Sequence, residues 1–550
     1  MEHYCYINIL EKRVLKSLNF MRYLNIKVYS IILIIISIIS CVFISFYAVD
    51  KRYIGMDQVQ HFYDMKKWYD SNKLPATGAR FIASEIINGE FTTPRVPGGV
   101  YYIFYTLFYK LANENLVKAR IINFIFNFII LSIFLIWIYK KFGIFITSIM
   151  SALVLCNPYI ILGVTDFWNP NITLIFSFLF FIFLFEYINN DNKKIKQISA
   201  IFIFPILAVM AQGHFVVFFS MVPTIIIYLI IRFKNTKQYI LYWTIGVFIS
   251  FLLYLPYLVS EIQNNFTNIK LAMNIRENLN KIPFPQIYAL LIFPTNEVSS
   301  MIGTRFGSVY YFWTKNGIYF YGLVFLILSV LISIFLFFKS IIIIIKNKNI
   351  EDKLTKTVIE MFYIFLMFIP ITILSFIIFR SKPGTFHYLY SAFSISFITY
   401  ILFLKFYEND FNNKKKLFIS IFFILNVFAV SGEMYRYFRL FQEPRSEKVL
   451  YSIADFINND SKGKKIAIYD GFSGIVHKQF EDIFKIYFKN INLNISESPD
   501  ILYAIRDDIL INNWDKDRNN REMQYLINNN AIELTNIAGY TIFKFPKIPD

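Results

Sequence analysis

The sequence predicts a mostly α, polytopic transmembrane helical bundle of about eleven helices, followed by a small C-terminal extracytoplasmic α/β domain. Three observations carry that prediction. Hydrophobic side chains make up 56% of the 550 residues and charged ones only 17%, where an average soluble domain carries about a quarter charged. The apolar residues gather into runs at or near the roughly 20-residue length that spans a bilayer core. Lys and Arg collect in short clusters between those runs, as the positive-inside rule expects of cytoplasmic loops.

The clusters set the direction of each helix. Residues 1–27 form a basic, cytoplasmic N-terminus (Lys12, Arg13, Lys16, Arg22, Lys27), so the first helix runs outward. Returns to the cytoplasm follow at Lys140/Lys141, Lys193/Lys194/Lys196, Arg232/Lys234/Lys237, Lys339 to Lys356 and Lys405 to Lys416. Spans that satisfy this order are 28–49, 116–138, 144–162, 172–188, 195–211, 215–231, 239–258, 318–338, 358–379, 388–404 and 417–430. The module 28–430 then holds its long loops, 50–115 and 259–317, on the outer face. Residues 100–111 (VYYIFYTLFYKL) form an interfacial aromatic helix, since a span there would put Lys140 and Lys141 outside. The first apolar run reads as an uncleaved helix: it is long and lacks a small-residue cleavage site.

Residues 431–550 are placed outside, and beyond Arg445 the composition is that of a soluble domain. An amphipathic stretch (EKVLYSIADFINND), two candidate strands (GKKIAIYDG, DILYAIRD) and a strand pair near Asn536 to Phe545 predict its α/β character. Three cysteines, Cys5, Cys41 and Cys156, give no disulfide framework, and no zinc-site spacing occurs. The formal charge of +18 does not indicate nucleic acid, because the basic residues form loops between apolar runs rather than one soluble face. Membrane lipid is the partner they suit.

Long loops on one side place the chemistry there. In IGMDQVQHFYDMKKWYD, Asp57, His61 and Asp64 fall on one helical face and offer a carboxylate and an imidazole to a common cavity; a solvated interfacial helix is the plainer alternative. Arg95, in TTPRVPGG, carries a donor fork suited to phosphate, or to headgroups nonspecifically. Asp166, in GVTDFWNPN, lies between two apolar runs, where a carboxylate needs a cation, water or a partner. Gln212 and His214 form a polar pair in a tight turn, structural or ligand-contacting. Arg380 and Lys382 are cations in a short outer turn, against the charge bias, and with His387 and Tyr388 they make a candidate anion pocket.

Together these residues resemble the GT-C superfamily of lipid-dependent glycosyltransferases, especially the branch of protein O-mannosyltransferases and aminoarabinose transferases. The shared features are Asp57 early in a long first outer loop, a Pro/Gly turn before an aromatic helix, a short second loop with Asp (TDFWNPN), a later turn with Arg and His-Tyr, and a C-terminal outer domain. Two departures stand out. Many members have Asp-Glu where this chain has Asp57-Gln58, and Lys-Pro-Pro where it has Arg95-Val96-Pro97-Gly98-Gly99.

The resemblance implies a GT-C-like bundle that transfers a sugar from a polyprenyl-phosphate-type carrier to a glycan, lipid or protein acceptor, with inversion at the anomeric carbon. It implies Asp57 as the base, Arg380, Arg95, His387 and Tyr388 at the lipid phosphate, and Asp166 with His61 orienting the acceptor. Gln212 and His214 are substrate contacts in that reading. In metal-using relatives an acidic residue at the place of Asp166 helps hold a divalent cation, Mg or Mn; the sequence fixes no cofactor. High Ile, Asn, Lys and Phe content points to a bacterial inner membrane, with the C-terminus outside. A transporter or flippase would show polar mid-span residues and broken helices in matching halves, which are not evident in the plain Ile/Phe/Leu spans. A polysaccharide polymerase or ligase shares the outer site and differs in substrate, and a receptor or scaffold role for the C-terminal domain is a further alternative.

Overall fold

The structure is a computed structural model that describes residues 26–81, 93–274, 287–295, 320–346, 350–378, 386–469, 479–488, 490–508 and 516–548. The first helix, α1 (Ile26–Ala48), leads into α2 (Met56–Ser71), a short hairpin of β1 (Thr77–Arg80) and β2 (Arg95–Pro97), and the aromatic helix α3 (Val100–Leu111). The bundle continues with α4 (Leu116–Leu155), α5 (Pro158–Val164), α6 (Pro170–Asn189), α7 (Lys193–Gly213), α8 (Met221–Ile231) and α9 (Ile240–Gln263). After α10 (Thr267–Asn274) it is completed by α11 (Phe320–Lys346), α12 (Lys353–Ile378), α13 (Ile398–Phe406) and α14 (Asn413–Tyr437).

Among the described residues, nine helices are long and apolar enough to cross a membrane. That number counts α4 once, although it covers the expected span 116–138 and the first part of 144–162, which continues in α5. Its backbone breaks at Gly143, with φ 78° and ψ 178°, a conformation that side-chain-bearing residues rarely adopt. The break lies directly after Lys140 and Lys141, where the charge pattern predicts a loop. The segment Phe215–Ile231 is also apolar but short, because a 3₁₀ turn over Phe215–Phe218 precedes α8. The chain is an integral membrane protein, but the described helices do not match the eleven expected spans one for one: 144–162 is divided between α4 and α5, and 215–231 begins as a 3₁₀ turn.

Ion pairs gather the basic segments at one end of the bundle. Lys141 pairs with Glu186 at 2.8 Å, Arg232 with Glu360 at 2.9 Å, and Lys353 with Asp191. Lys339 Nζ lies over the Tyr407 ring, 5.5 Å from its centre. Segments distant in sequence therefore share one charged layer. The body between the two ends is a continuous apolar core, in which Phe134, Phe178, Phe181 and Phe365 are fully buried.

The opposite end carries α2, α3, the turn at 165–169 and the C-terminal domain. That domain is built from α15 (Glu447–Ser461), β3 (Ile466–Tyr469), α16 (Gln479–Tyr487), β4 (Ile501–Asp507), α17 (Lys516–Asn528), β5 (Ile532–Ile537) and β6 (Tyr540–Lys544). Its sheet has the order β3-β4-β6-β5, with β3 parallel to β4 and the other pairs antiparallel. Leu450, Ile453, Ala454 and Ile457 recur at helical spacing on α15 and are buried against the sheet.

A buried ion pair ties the domain to the bundle. Arg445, 2% exposed, donates from Nε to Asp507 Oδ2 at 2.8 Å and from Nη2 to Oδ1 at 3.4 Å. Lysine keeps the charge but cannot reproduce the two-point contact. Arg445→Lys is expected to cost about 1–3 kcal/mol, read as a lower unfolding midpoint of the full chain and faster proteolysis between the bundle and the domain. An unchanged midpoint would mean that the pair contributes nothing.

Candidate functional site

Two arginine–carboxylate clusters form the floor of the end that carries the C-terminal domain. In the first, Asp166 is 2% exposed and meets cations on both oxygens. Arg52 Nη2 donates to Oδ2 at 3.0 Å, and Arg120 Nε stands 3.7 Å from Oδ1. Gln58 Nε2 also donates to Oδ2, at 3.1 Å. Burial alone would raise the Asp166 carboxyl, but Arg52, Arg120 and the hydrogen bonds from Arg52 and Gln58 outweigh it and hold it below the usual carboxylate value.

The second cluster is centred on Asp64, 1% exposed. Arg95 grips it with both ends of its fork, Nη1 to Oδ2 at 2.8 Å and Nη2 to Oδ1 at 2.7 Å. Tyr102 adds a hydroxyl bond at 3.2 Å, and Arg80 Nη2 lies 3.8 Å away. Arg95, which the sequence offered for a phosphate, is thus turned onto a carboxylate of its own loop. Its backbone is pinned as well, since Asn268 of α10 accepts from the Arg95 N–H and donates to its carbonyl.

His61 lies between the clusters, 3% exposed, with Nδ1 3.5 Å from the Tyr102 hydroxyl and its ring edge-on to Tyr101 at 5.1 Å. Burial lowers its pKa, and Asp57, Asp64 and Asp166 offset that only in part. The imidazole is neutral near pH 7 and can donate from only one nitrogen.

Asp57 has a different environment. It sits in the first turn of α2, where the helix dipole favours a carboxylate, and it is exposed. Trp168 Nε1 donates to its Oδ2 at 3.3 Å. Trp168 in turn meets the His387 ring edge-on at 4.7 Å, and His214 meets both His387 at 5.0 Å and Tyr388 at 4.9 Å. Burial lowers His214 to about 4. Trp168 therefore joins Asp57 to His387, which carries the contact on to His214 and Tyr388.

Gln212 belongs to the scaffold. It is fully buried, accepts from the Val100 N–H at 3.2 Å and donates to the Leu253 carbonyl at 3.2 Å, which joins the start of α3 to α9. Gly98 packs against it with φ 90°, and a Cβ there would come within 2.4 Å of Gln212 Cδ. Arg380 and Lys382 lie outside the described residues. A small cleft of about 20 Å³ opens beside Asp166, between the aromatic face of α3 (Tyr101, Tyr105) and Asn123, Asn127 and Trp168.

Arg52 and Arg80 carry no local signal in the sequence. A signal existed for Arg120, an ionisable residue followed directly by an apolar run. The donor set does not fit a divalent cation at Asp166, whose oxygens already face two guanidinium groups. Among the described residues, no three His, Cys, Asp or Glu side chains converge to hold one.

Comparison with known proteins gives a likeness of fold. The crystal structure of ArnT from Cupriavidus metallidurans bound to undecaprenyl phosphate superposes with a TM-score of 0.50 at 9% identity, covering 93% of this chain and 97% of that one. The apo form of the same ArnT gives a TM-score of 0.47 at 8% identity over the same shares. The chain shares the fold of that ArnT. No protein-family model matches the sequence, and no curated protein matches it either.

Proposed function

We propose that the chain is a glycosyltransferase that moves a sugar from a polyprenyl-phosphate-type carrier to an acceptor at the outer face of a bacterial inner membrane. The observation that carries this reading is the pairing of one exposed carboxylate, Asp57, with a buried floor richer in cations than in anions. Among the described residues, Arg52 and Arg120 share a single buried carboxylate, Asp166. Nε and Nη1 of Arg52 are buried and make no hydrogen bond among the described residues. Such a surplus suits an anionic ligand. The shared fold with an ArnT whose crystal contains undecaprenyl phosphate supports a polyprenyl phosphate as that anion.

In this reading an acceptor hydroxyl attacks the anomeric carbon from the face opposite the phosphate, and configuration inverts. The hydroxyl proton passes to Asp57. The bond from the anomeric carbon to the phosphate oxygen breaks, and its electron pair leaves with the polyprenyl phosphate. Arg52 and Arg120, with His387, Tyr388 and Arg380, stabilise that leaving anion. Arg95 acts indirectly, by holding Asp64 and the α2–α3 loop. Asp166 orders the two arginines beside it. Neutral His61 and His214 contact substrate, and Gln212 fixes the start of the aromatic helix.

A lipid carrier also accounts for the architecture. Its phosphate stays at the interface while its tail remains in hydrocarbon, so the cationic floor must stand at the membrane surface. The basic loops collect at the opposite end of the bundle, and the positive-inside rule puts that end in the cytoplasm.

Two experiments test the reading. Cysteine introduced at exposed Lys67 should react with an impermeant reagent added outside intact cells; reaction only after permeabilisation would reverse the topology. Mass spectrometry of lipid copurifying with the protein should find a polyprenyl phosphate or its glycoside, and its absence after mild extraction would remove the proposed donor.

A further inference from the structure

The C-terminal domain touches the helix that carries Asp57 at one defined place. Tyr487, the last residue of α16, donates its hydroxyl to the Gln58 carbonyl at 3.0 Å and stacks on Phe62 with ring centroids 4.6 Å apart and planes 23° apart. Gln58 follows Asp57 directly, and its side chain spans two further points. Oε1 accepts from the Gly55 N–H at 3.2 Å, while Nε2 donates to Asp166 at 3.1 Å.

Packing concentrates at the same place. Ile54 and Val59, which flank Asp57 in sequence, belong to the core of the C-terminal domain. Ile486 and Tyr487 pack against that core and also against the core formed by α2 and α3. The chain entering α2 is held by the same region, through Ile54 N–H to the Arg445 carbonyl at 3.3 Å and Tyr53 N–H to Gln442 Oε1 at 2.8 Å. Burial holds the Tyr487 phenol well above the ordinary tyrosine pKa, with Arg120 opposing and Glu447 and Asp166 adding to the rise. The phenol keeps its proton, and a carbonyl can only accept.

We propose that Tyr487 is a positioning residue for the site: its hydroxyl fixes the first turn of α2, so that Asp57 is held at the opening while Gln58 reaches Asp166. The C-terminal domain is thereby a working part of the site rather than an appendage. The effect on turnover rests on the transferase reading above, whereas the effect on α2 stands without it.

The test uses the full chain in lipid nanodiscs and compares wild type, Tyr487→Phe and the exposed control Tyr451→Phe. Tyr487→Phe keeps the stack and removes one hydrogen bond. Amide hydrogen exchange over residues 56–64 should speed up by about 3–10-fold in Tyr487→Phe and stay unchanged in Tyr451→Phe. With a labelled polyprenyl-phosphate sugar as donor, kcat should fall by about 5–10-fold with donor KM unchanged, the split expected of a misplaced base. Unchanged exchange over 56–64, or a rise in KM without a fall in kcat, would overturn the proposal. Wild-type protein that transfers no sugar would instead overturn the transferase reading, and the exchange measurement would still decide the role of Tyr487. Should Tyr487→Phe fail to fold, Phe62→Leu removes the stack and keeps the hydroxyl bond; exchange over 56–64 should then rise by about threefold, and no rise would overturn the proposal.

Discussion

Replacing Asp57 by Asn lowers sugar transfer by about 10²–10⁴-fold, the range expected when a general base is lost, and leaves the fold intact. An amide cannot take the acceptor proton, yet its oxygen can still accept the Trp168 hydrogen bond that Asp57 receives at 3.3 Å. Asp57 is exposed, so no buried charge is orphaned. The measurement is initial transfer rate beside thermal unfolding: rate collapses, the unfolding midpoint stays within the error of wild type, and the lipid donor still binds. A variant retaining most of its rate would remove Asp57 from the base role. A variant that unfolds would give it a structural role instead.

Asp166→Asn has the opposite signature. It leaves Arg52 and Arg120 buried at 8% and 1% exposure without their shared counter-charge, and breaking a buried pair from one side costs roughly 3–5 kcal/mol. The unfolding midpoint should fall substantially, and transfer should fall with it. The same group makes stability depend on pH. Its folded-state pKa lies below the unfolded value, so its contribution is fully present above the ordinary carboxylate pKa of about 3.9. That contribution is lost as the pH falls through the depressed folded value. Wild type should therefore lose stability in acid more steeply than Asp166→Asn, a comparison made by unfolding at pH 7 and below pH 4. Equal acid sensitivity would show that the carboxylate is not held by its arginines.

The two variants separate the two carboxylates that the sequence placed together as candidates. Burial makes the difference, and burial at a turn is not written in local pattern. What local pattern does specify is the bundle. Apolar length sets each span, Lys140 and Lys141 mark the break that Gly143 supplies, and Val100–Leu111 forms a helix of the expected extent. The amphipathic period of 447–460 likewise specifies α15. These features depend on residues near one another in the chain.

The site depends on pairs that are far apart. Arg52 meets Asp166 across 114 residues, and Gln58 meets it across 108. Nothing in the spacing of one strand of sequence encodes such a pair. Arg95 illustrates the consequence: its fork suits phosphate in isolation, but Asp64 lies 31 residues earlier in the same loop and takes both ends of it. Buried charge must be paired, and Asp64 supplies that pair. His214 and His387 were legible as polar residues at turns, whereas their meeting beside Trp168 required the bundle to close. Tyr487 carried no local signal, because its role lies in a contact between the C-terminal domain and the first loop.

In the proposed reaction the arginine floor and Asp57 together cleave a sugar from a lipid phosphate. Its most direct test is the fate of a doubly labelled donor, with one label on the sugar and one on the polyprenyl phosphate, incubated with the purified protein in nanodiscs and an extract of envelope glycans and lipids. Wild type should release free polyprenyl phosphate in step with sugar appearing on an acceptor, and Asp57→Asn should do neither. Donor that remains intact, or equal release by wild type and Asp57→Asn, would contradict it.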